Sequence, residues 1–471
     1  MLEGLSEVDQ IFTDFFAKNK APGLLYGVAV RGNLVHWKAI GDAVIGERPV
    51  DRTTAFRVAS ITKSFTAMAL LKLRDRGLIN LDAPFVTYMP ELFPQQIEVF
   101  EVTVRQLLSM SAGFPTDDKW ADRVESITDE HFLTLLETGF RFDTRPGSRF
   151  EYSNLGYALL GRIIANVSNM SYIQYVTQEI FFSLGLRSTT FDFTESVNLA
   201  MGYAMLDGWT PEPHQIPGAF SPIGGVITTL DDLVAWTNYL SSAFDPTSPE
   251  HGPLKKSSRR EMQNIHREIK KVSSDDVDLS DVGISGYGFG TIVEDDNSYG
   301  KIVSHSGGYP GFGAHMRWHL TSGISVISLA NGRYASPVVA NIPALRAVLS
   351  QLPQIPTEIT RELEFIREKI VALIQNWNEE TLTTFFAVNM NLDFPLDFRR
   401  KNIDEALAQT GKLSTKFQIK ANKSASHLKW EQYGEKKNLE IEIWLAPLAP
   451  LQIQEMRVKA IDRVPEQPLN T

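Results

Sequence analysis

Hydrophobic positions along the first part of the chain follow two different periods. Residues 5–19 place apolar side chains every three or four positions, which predicts an amphipathic helix. Two short apolar runs, 25–30 and 34–40, follow a Pro-Gly break and predict a pair of adjacent strands. From about residue 56 to 240 the pattern is mostly helical, and over 287–331 it becomes strand-like again. Strands on both sides of a long helical insertion predict an α+β fold, with one sheet assembled from both ends of this region and helices packed on it.

The last part of the chain, residues 357–471, is predicted to form a separate small α+β domain. Apolar residues recur there at helical spacing at Leu363, Ile366, Ile370 and Ile374. Period-two patterns at 413–419 and 439–445 predict strands of an antiparallel meander. Two prolines within 351–356 predict a linker, so the first domain is expected to span residues 1–350. The order of helix and then meander weakly resembles the nuclear-transport-factor-2-like fold, with a lipocalin-like appendage as the alternative.

Residues 241–283 are rich in charged side chains. They include the basic pairs Lys255-Lys256 and Arg259-Arg260, and three aspartates between residues 275 and 278. A run of this kind is usually exposed to water, so we expect a solvated face or a mobile loop here.

Composition and charge exclude several classes of function. The 471 residues carry 46 Lys and Arg against 56 Asp and Glu, a net charge of −10, so binding to nucleic acid or to an anionic membrane is not expected. Cysteine is absent, which excludes thiolate catalysis, disulfides and metal sites that need sulfur. The N-terminus lacks the pattern of a signal peptide, and no apolar run approaches the length of a membrane span. A cytoplasmic location is therefore expected.

The first motif that can carry chemistry is Ser60-Ile-Thr-Lys63. The following residues predict a helix that ends at Gly77, and on a helix the side chains at positions i and i+3 lie on one face. A serine at the start of a helix lies near unpaired backbone N–H groups, which favour an anionic intermediate. A neutral Lys63 could take the proton of Ser60, and burial would lower the pKa of its amine.

The second motif is Tyr152-Ser-Asn154, placed between a predicted turn at Pro146-Gly147 and a predicted helix. A phenol at a junction between loop and helix can relay protons, and the Asn154 amide can bond a substrate carbonyl. The alternative is a helix cap made by Ser153 or Asn154, with Tyr152 in the core.

The third motif, His305-Ser-Gly307-Gly308, lies on a predicted strand. Glycine just past a strand lets a substrate backbone approach closely. The N–H groups of Gly308 and Ser60 could together form an oxyanion hole.

The three motifs in this order resemble those of the serine beta-lactamase and penicillin-binding-protein superfamily. More narrowly, the chain is similar to the class C beta-lactamase-like hydrolases, the S12 peptidases, which include D-aminopeptidases, D-Ala-D-Ala carboxypeptidases and esterases. The resemblance runs from about residue 5 to 345. It implies a beta-lactamase/transpeptidase-like fold, in which helices and a helical subdomain flank an antiparallel sheet.

The resemblance also implies an acyl-enzyme mechanism. Ser60 would attack a carbonyl, and Lys63 with Tyr152 would share its proton, in a division that the resemblance leaves open. Asn154 would orient the substrate, and His305 would contribute from the strand. Class C beta-lactamases place a lysine where this chain has His305. A neutral histidine is a weaker anion site, which favours peptidase-like or esterase-like substrates over penicillins.

The leading hypothesis is a serine hydrolase that cleaves a small peptide or D-amino-acid amide without metal or cofactor. The alternatives are a carboxylesterase with weak beta-lactamase activity and a catalytically silent receptor module. His315 and His319 supply only two ligands, so no metal site is predicted. The expected partner is a small-molecule or short-peptide substrate, and a homo-oligomer is compatible with the sequence.

Overall fold

The computed structural model describes residues 4–18, 20–92, 96–270, 282–351, 359–424, 426–448 and 450–463. The chain divides into two compact units, Met1–Gln351 and Leu352–Thr471. Most of the predicted linker, residues 352–356, lies outside the described residues. Within the part of the chain that is described, no helix is both long enough and apolar enough to cross a membrane.

The strands of the first unit are β1 (Gly23–Val30), β2 (Asn33–Val44), β3 (Arg48–Pro49), β4 (Phe56–Arg57), β5 (Gly202–Met205), β6 (Trp209–Glu212), β7 (Ile227–Thr228), β8 (Arg267–Glu268), β9 (Val282–Tyr287), β10 (Ile292–Asp296), β11 (Gly300–Tyr309), β12 (Phe312–His319) and β13 (Ile324–Ala330). Its helices are α1 (Leu5–Ala17), α2 (Thr62–Asp75), α3 (Val104–Leu108), α4 (Asp118–Ala121), α5 (Asp129–Glu137), α6 (Asn154–Ser168), α7 (Tyr172–Val176), α8 (Phe182–Leu184), α9 (Ser221–Gly224), α10 (Leu230–Ser241), α11 (Lys256–Met262) and α12 (Val338–Leu349).

The main sheet of this unit is antiparallel and runs in the order β3-β2-β1-β13-β12-β11-β10-β9-β8. Strand β1 pairs with β13, with Leu25 opposite Leu329, so the predicted assembly of one sheet from both ends is confirmed. The amide N–H of Gly23 also donates to the side chain of Asn331, 308 positions away. Helices α1 and α12 pack on each other, whereas α2 and α6 belong to the helical insertion. The observed architecture is the predicted α+β fold.

Helix α2 is the buried centre of the helical insertion. Its residues Phe65, Met68 and Leu71 are buried, and Gly77 adopts φ 77° just after the helix, as the sequence predicts. Glycine tolerates this left-handed conformation, so the helix stops there without steric cost. The first residue of α2 follows a single 3₁₀ turn, Ala59–Ile61, and this turn carries Ser60.

The charge-rich stretch is only partly solvated. Helix α11 lies within it, and Arg259 is fully buried, so the prediction of a solvated face is wrong for this residue. The guanidinium donates to the carbonyl of Tyr239 and the hydroxyl of Ser242, and it lies 4.2 Å from the centre of the Tyr239 ring. Arginine can pack its long stem in a core when the end of another helix, here α10, supplies acceptors for its head. The aspartates at 275–278 lie outside the described residues.

The second unit contains α13 (Arg361–Gln375), α14 (Glu379–Phe385), α15 (Val388–Asp393), α16 (Leu396–Thr410), β14 (Leu413–Ser424), β15 (His427–Gly434), β16 (Asn438–Leu445) and β17 (Ile453–Ile461). The four strands form one antiparallel sheet in chain order, so the predicted meander is confirmed. The apolar face of α13, with Leu363, Ile366 and Ile370, is buried in one core with residues of this sheet.

Candidate active site

Ser60 lies on the tight 3₁₀ turn that precedes α2. Its neighbour Ala59 has φ 48°, a left-handed conformation that a residue with a Cβ rarely adopts. Strain of this kind costs about 1–3 kcal/mol and persists only where the surrounding structure holds it. The side chain of Ser60 is partly exposed, whereas Ala59 and Ile61 are buried. The turn therefore presents one hydroxyl to solvent from a buried support.

Lys63 lies one helical turn after Ser60 and is completely buried. Its Nζ is 2.9 Å from Ser60 Oγ, so the structure brings the predicted pair together. The amine also donates to the carbonyl of Ile223 in the α9 turn, at 2.9 Å. Burial lowers the pKa of Lys63 from 10.5 to about 8, against the opposing charges of Asp118, Asp122 and Asp117.

Tyr152 immediately precedes the N-cap of α6, and its phenol interacts with the hydroxyl of Ser60. Its ring is partly exposed, and its centre lies 5.1 Å from Lys63 Nζ. Burial and the charge of Asp118 raise the Tyr152 pKa well above 10, although the interaction with Ser60 opposes the change. The phenol is therefore neutral near pH 7. The cap at Ser153, whose hydroxyl accepts from the Gly156 N–H, coexists with this arrangement.

Asn154 is buried at the first position of α6 and is oriented by two aspartates. Its backbone N–H donates to Asp117 at 2.7 Å, and its side-chain nitrogen donates to Asp118 at 2.7 Å. This bond uses one of the two N–H groups of the side-chain amide, and the bond between this amide and a substrate stays a prediction. Asp117 also accepts from the Leu155 N–H at 2.8 Å, so its carboxylate caps α6.

His305 is buried on β11 and is fixed through both ring nitrogens. Nδ1 lies 2.7 Å from the carbonyl of Ser306, which can only accept, so Nδ1 carries the proton. Nε2 then accepts from the hydroxyl of Tyr287 at 3.0 Å. Burial and the charge of Lys63 lower the pKa of His305 to about 3. The histidine is thus neutral, as the sequence predicts for a weak anion site.

The two glycines after His305 lie where the strand meets neighbouring groups. A Cβ on Gly307 would lie 2.1 Å from the carbonyl oxygen of Val58, in the backbone just before the Ser60 turn. A Cβ on Gly308 would lie 2.9 Å from the ring of Tyr334. Strand β11 therefore approaches the Ser60 turn more closely than any residue with a side chain would allow.

A buried carboxylate, Glu125, connects three segments of the site. Its Oε1 lies 3.0 Å from the guanidinium of Arg57, which comes three residues before Ser60. Its Oε2 accepts from the hydroxyl of Tyr309, the residue after Gly308. The hydroxyl of Ser221, at the start of the α9 turn, donates to Oε1 at 3.4 Å. Glu125 thus links the turn of the candidate nucleophile, the end of β11 and the turn that accepts from Lys63.

Of the seven predicted site residues, the structure brings Lys63 and Tyr152 to Ser60 and places Gly307, with its neighbours His305 and Gly308, against the backbone before the Ser60 turn. Asn154 lies two residues after Tyr152 and bonds Asp117 and Asp118. Sequence reasoning missed the acidic residues Asp117, Asp118 and Glu125, and it noted Tyr287 only as the start of strand-like sequence. The adjacent aspartates at positions 117 and 118 could have been noticed in the sequence, but Glu125 belongs to no motif.

The two histidines on β12 form hydrogen bonds with neighbouring groups. His315 Nδ1 lies 2.9 Å from the hydroxyl of Ser306, and His319 contacts Ser322 and the carbonyl of Tyr299. Among the residues that the structure describes, no group of three or more His, Asp or Glu side chains is placed to hold a metal ion.

Comparison with known proteins identifies relatives along most of the first unit. The family model described as Beta-lactamase matches residues 8–350. The chain is 27% identical to Protein flp of Staphylococcus aureus (strain MW2) over 334 residues, which are 69% of this chain and 62% of that protein. It is 26% identical to penicillin-binding protein 4* of Bacillus subtilis (strain 168) over 313 residues, 64% of this chain and 66% of the relative. These matches span less than two thirds of the relatives' own length.

One solved structure resembles nearly the whole chain. It is the octameric penicillin-binding protein homologue from Pyrococcus abyssi, with a TM-score of 0.62 and 21% sequence identity. The match covers 96% of this chain and 99% of that one. At this identity the likeness concerns the fold alone.

Proposed function

The chain belongs to the beta-lactamase family of serine hydrolases, and from this premise we propose that it cleaves an amide or ester bond through an acyl-Ser60 intermediate. The proposed substrate is a small peptide or a D-amino-acid amide, as in S12-type peptidases. The observation that carries the proposal is the buried amine of Lys63, 2.9 Å from a partly exposed serine hydroxyl and with a pKa of about 8.

Lys63 is the proposed proton acceptor. At pH 7 a group with this pKa is neutral in roughly a tenth of the molecules, a fraction that suffices for general-base catalysis. Tyr152 stays protonated because its pKa is raised well above 10. Its hydroxyl, which interacts with Ser60, is suited to passing the proton on to the leaving group and not to taking it first.

The acyl-transfer steps follow from these assignments. Ser60 Oγ bonds to the substrate carbonyl carbon while its proton moves to Lys63. The N–H groups of Ser60 and Gly308 are proposed to hold the oxyanion, because β11 and the Ser60 turn are in close contact. The leaving amine or alcohol departs with a proton relayed through Tyr152. A water molecule then attacks the acyl carbon, and Lys63 and Tyr152 again transfer the protons. This step releases the acid and restores Ser60.

The neutral state of His305 bears on the substrate. A lysine at this position would supply a cation for a substrate carboxylate, whereas His305 supplies none and already bonds Ser306 and Tyr287. This supports amide or ester substrates without an obligatory carboxylate there, and it disfavours penicillins.

The test is hydrolysis of p-nitrophenyl esters, D- and L-amino-acid p-nitroanilides and a chromogenic cephalosporin by the wild type and Ser60→Ala, with mass spectrometry of quenched reactions. An acyl adduct on the Ser60 peptide, and turnover lost in Ser60→Ala, would support the proposal. The matched control is Ser64→Ala, which removes a buried hydroxyl of the same helix that donates to the Ile61 carbonyl. Preference for esters over amides would favour a carboxylesterase. Absence of turnover together with absence of labelling by a fluorophosphonate would favour a silent receptor.

We further propose that residues 357–471 form an accessory domain and that the chain self-associates. The proposal is supported by the octameric state of the Pyrococcus abyssi homologue, whose fold the chain shares over 96% of its length. Light scattering coupled to size-exclusion chromatography tests it, and a strictly monomeric mass at micromolar concentration would contradict it.

A further inference from the structure

Two consecutive residues after β13, Arg333 and Tyr334, connect to the segment just after α4. Tyr334 does so directly, and Arg333 does so through Glu212. The hydroxyl of Tyr334 donates to Asp122 at 2.8 Å. Arg333 pairs with Glu212, and Glu212 also pairs with Arg123 at 3.2 Å. We call residues 333–334 the strap. The strap follows the interior strand β13 and joins the sheet to the segment after α4 by one direct bond and one bridge through Glu212.

The strap is held in a strained conformation. Tyr334 has φ 48°, although it is a bulky residue in a region of φ that favours glycine. The residue is 40% exposed, so it does not take this conformation to fill the core. Strain at a non-glycine residue costs about 1–3 kcal/mol and concentrates at functional sites, where neighbours enforce it. Here the enforcing contacts are the Asp122 bond and the Tyr334 N–H, which donates to the Tyr309 carbonyl at 3.3 Å.

The ring of Tyr334 lies directly against the candidate oxyanion strand. A Cβ added to Gly308 would lie 2.9 Å from its Cδ1. On the other side, the backbone N–H of Asp122 donates to the carbonyl of Asp118, whose side chain bonds Asn154, and the charge of Asp122 acts on both Lys63 and Tyr152. The strap therefore stands at one end of the partly exposed surface formed by Ser60, Tyr152 and Gly308.

We propose that the strap, through the ring of Tyr334, closes this end of the site and limits the length of the substrate group that extends past Gly308. A substrate whose carbonyl oxygen is held between Ser60 and Gly308 must place one substituent toward Tyr334, and only a short substituent fits beside the ring. The enzyme then removes or accepts a terminal group and does not cleave within a long chain. This inference rests on the proposed function, because it concerns the substrate of the same site.

The experiment compares kcat/KM for two substrate series in the wild type, Tyr334→Gly, Tyr334→Phe and Ser336→Gly. One series lengthens the acyl part (p-nitrophenyl acetate, butyrate and octanoate). The other lengthens the leaving group (D-alanyl amides of one, two and four residues). Ser336 has φ 53° in the same loop and is exposed, so Ser336→Gly relaxes the backbone equally but leaves the ring in place. Tyr334→Phe removes only the bond to Asp122.

Tyr334→Gly is expected to raise kcat/KM for the longest member of one series by about tenfold or more, while the shortest member changes by less than about threefold. Ser336→Gly and Tyr334→Phe are expected to keep the wild-type length preference, because both retain a ring. If Tyr334→Gly changed kcat/KM by the same factor for every substrate of a series, the strap would be purely structural and the inference would be overturned. An altered length preference in Ser336→Gly would overturn it as well. A wild type that hydrolyses no member and forms no Ser60 adduct would refute the proposed function, and the inference would fall with it.

Discussion

The amine of Lys63 and the hydroxyl of Ser60 lie 2.9 Å apart because a single 3₁₀ turn leads directly into α2. Nucleophile and candidate base are therefore fixed relative to one another by local backbone geometry. The other groups at the site belong to distant segments. Tyr152 lies just before α6, His305 lies on β11, and the Ile223 carbonyl that accepts from Lys63 lies in the α9 turn. Substitutions can test the local pair and the distant groups separately.

The activity should depend on pH through Lys63. Burial lowers its pKa to about 8, and only the neutral amine can accept a proton, so kcat/KM for a neutral ester should rise with pH and level off above about pH 9. Lys63→Arg should reduce kcat/KM by about 10²–10⁴, because a guanidinium stays protonated. The measurement is a pH–rate profile on p-nitrophenyl acetate, corrected for spontaneous hydrolysis. The rising part of this profile, its limb, should have its midpoint near pH 8. A midpoint near pH 6.5 would contradict this assignment.

Removing the charge of Asp118 should move that limb toward lower pH. Its carboxylate favours the protonated form of Lys63, and it is the largest of the three opposing charges. In Asp118→Asn the pKa of Lys63 falls, so a larger fraction of the amine is neutral at pH 7. Asp207→Asn is the control, since Asp207 is exposed in the turn between β5 and β6. An unchanged profile in Asp118→Asn would show that the limb reports another group.

Loss of Glu125 should destabilise the first unit strongly. Glu125→Ala leaves the guanidinium of Arg57, whose side chain is 4% exposed, without its carboxylate partner. Uncompensated buried charge of this kind costs about 3–5 kcal/mol in the free energy of unfolding. The double variant Arg57→Met/Glu125→Leu should recover most of the loss, because neither residue then carries a buried charge. Urea denaturation followed by intrinsic fluorescence measures the free energy of unfolding of the single and the double variant. A double variant less stable than Glu125→Ala would show that loss of the ion pair is not the cause of the destabilisation.

A methyl group at Gly307 should separate β11 from the Ser60 turn. The added Cβ would meet the Val58 carbonyl at 2.1 Å, and backbone cannot yield as the end of a flexible side chain can. We expect Gly307→Ala to lower kcat/KM by about 10² or more, since a 1 Å displacement of reacting groups has that effect. Gly156→Ala on α6, where the added Cβ would lie 3.6 Å from Leu107, should keep activity. Equal losses in the two variants would point to a general effect of adding a methyl group.

The parts of the site that depend on short-range geometry could be predicted from the sequence. Three features depend only on residues close together in the sequence: the spacing of Ser60 and Lys63, the helix that follows them, and its stop at Gly77. The sheet built from both ends was also predictable, because apolar periods report which segments are strands. These predictions needed no knowledge of which distant residues touch.

Contacts between distant segments could not be predicted in this way. Asp118 contacts Asn154 across 36 positions, and Tyr309 contacts Glu125 across 184. Neither pair has a spacing that a helix or a strand imposes, so no periodicity marks it. The same reason explains Arg259, whose charge predicted exposure although the end of α10 supplies acceptors inside the core. The donor role of the Asn154 amide toward Asp118 was hidden likewise.

The pairing of β1 with β13 also governs when the site can form during protein synthesis. A ribosome delivers β1 and β2 first, and β13, the partner on the other side of β1, emerges only after about 300 further residues, roughly 15–60 s later at ordinary elongation rates. Throughout that interval an apolar strand has an open edge, a known route to aggregation. Nascent chains of this protein should therefore need protection by chaperones, and a message truncated before β13 should yield insoluble product instead of a partly active enzyme.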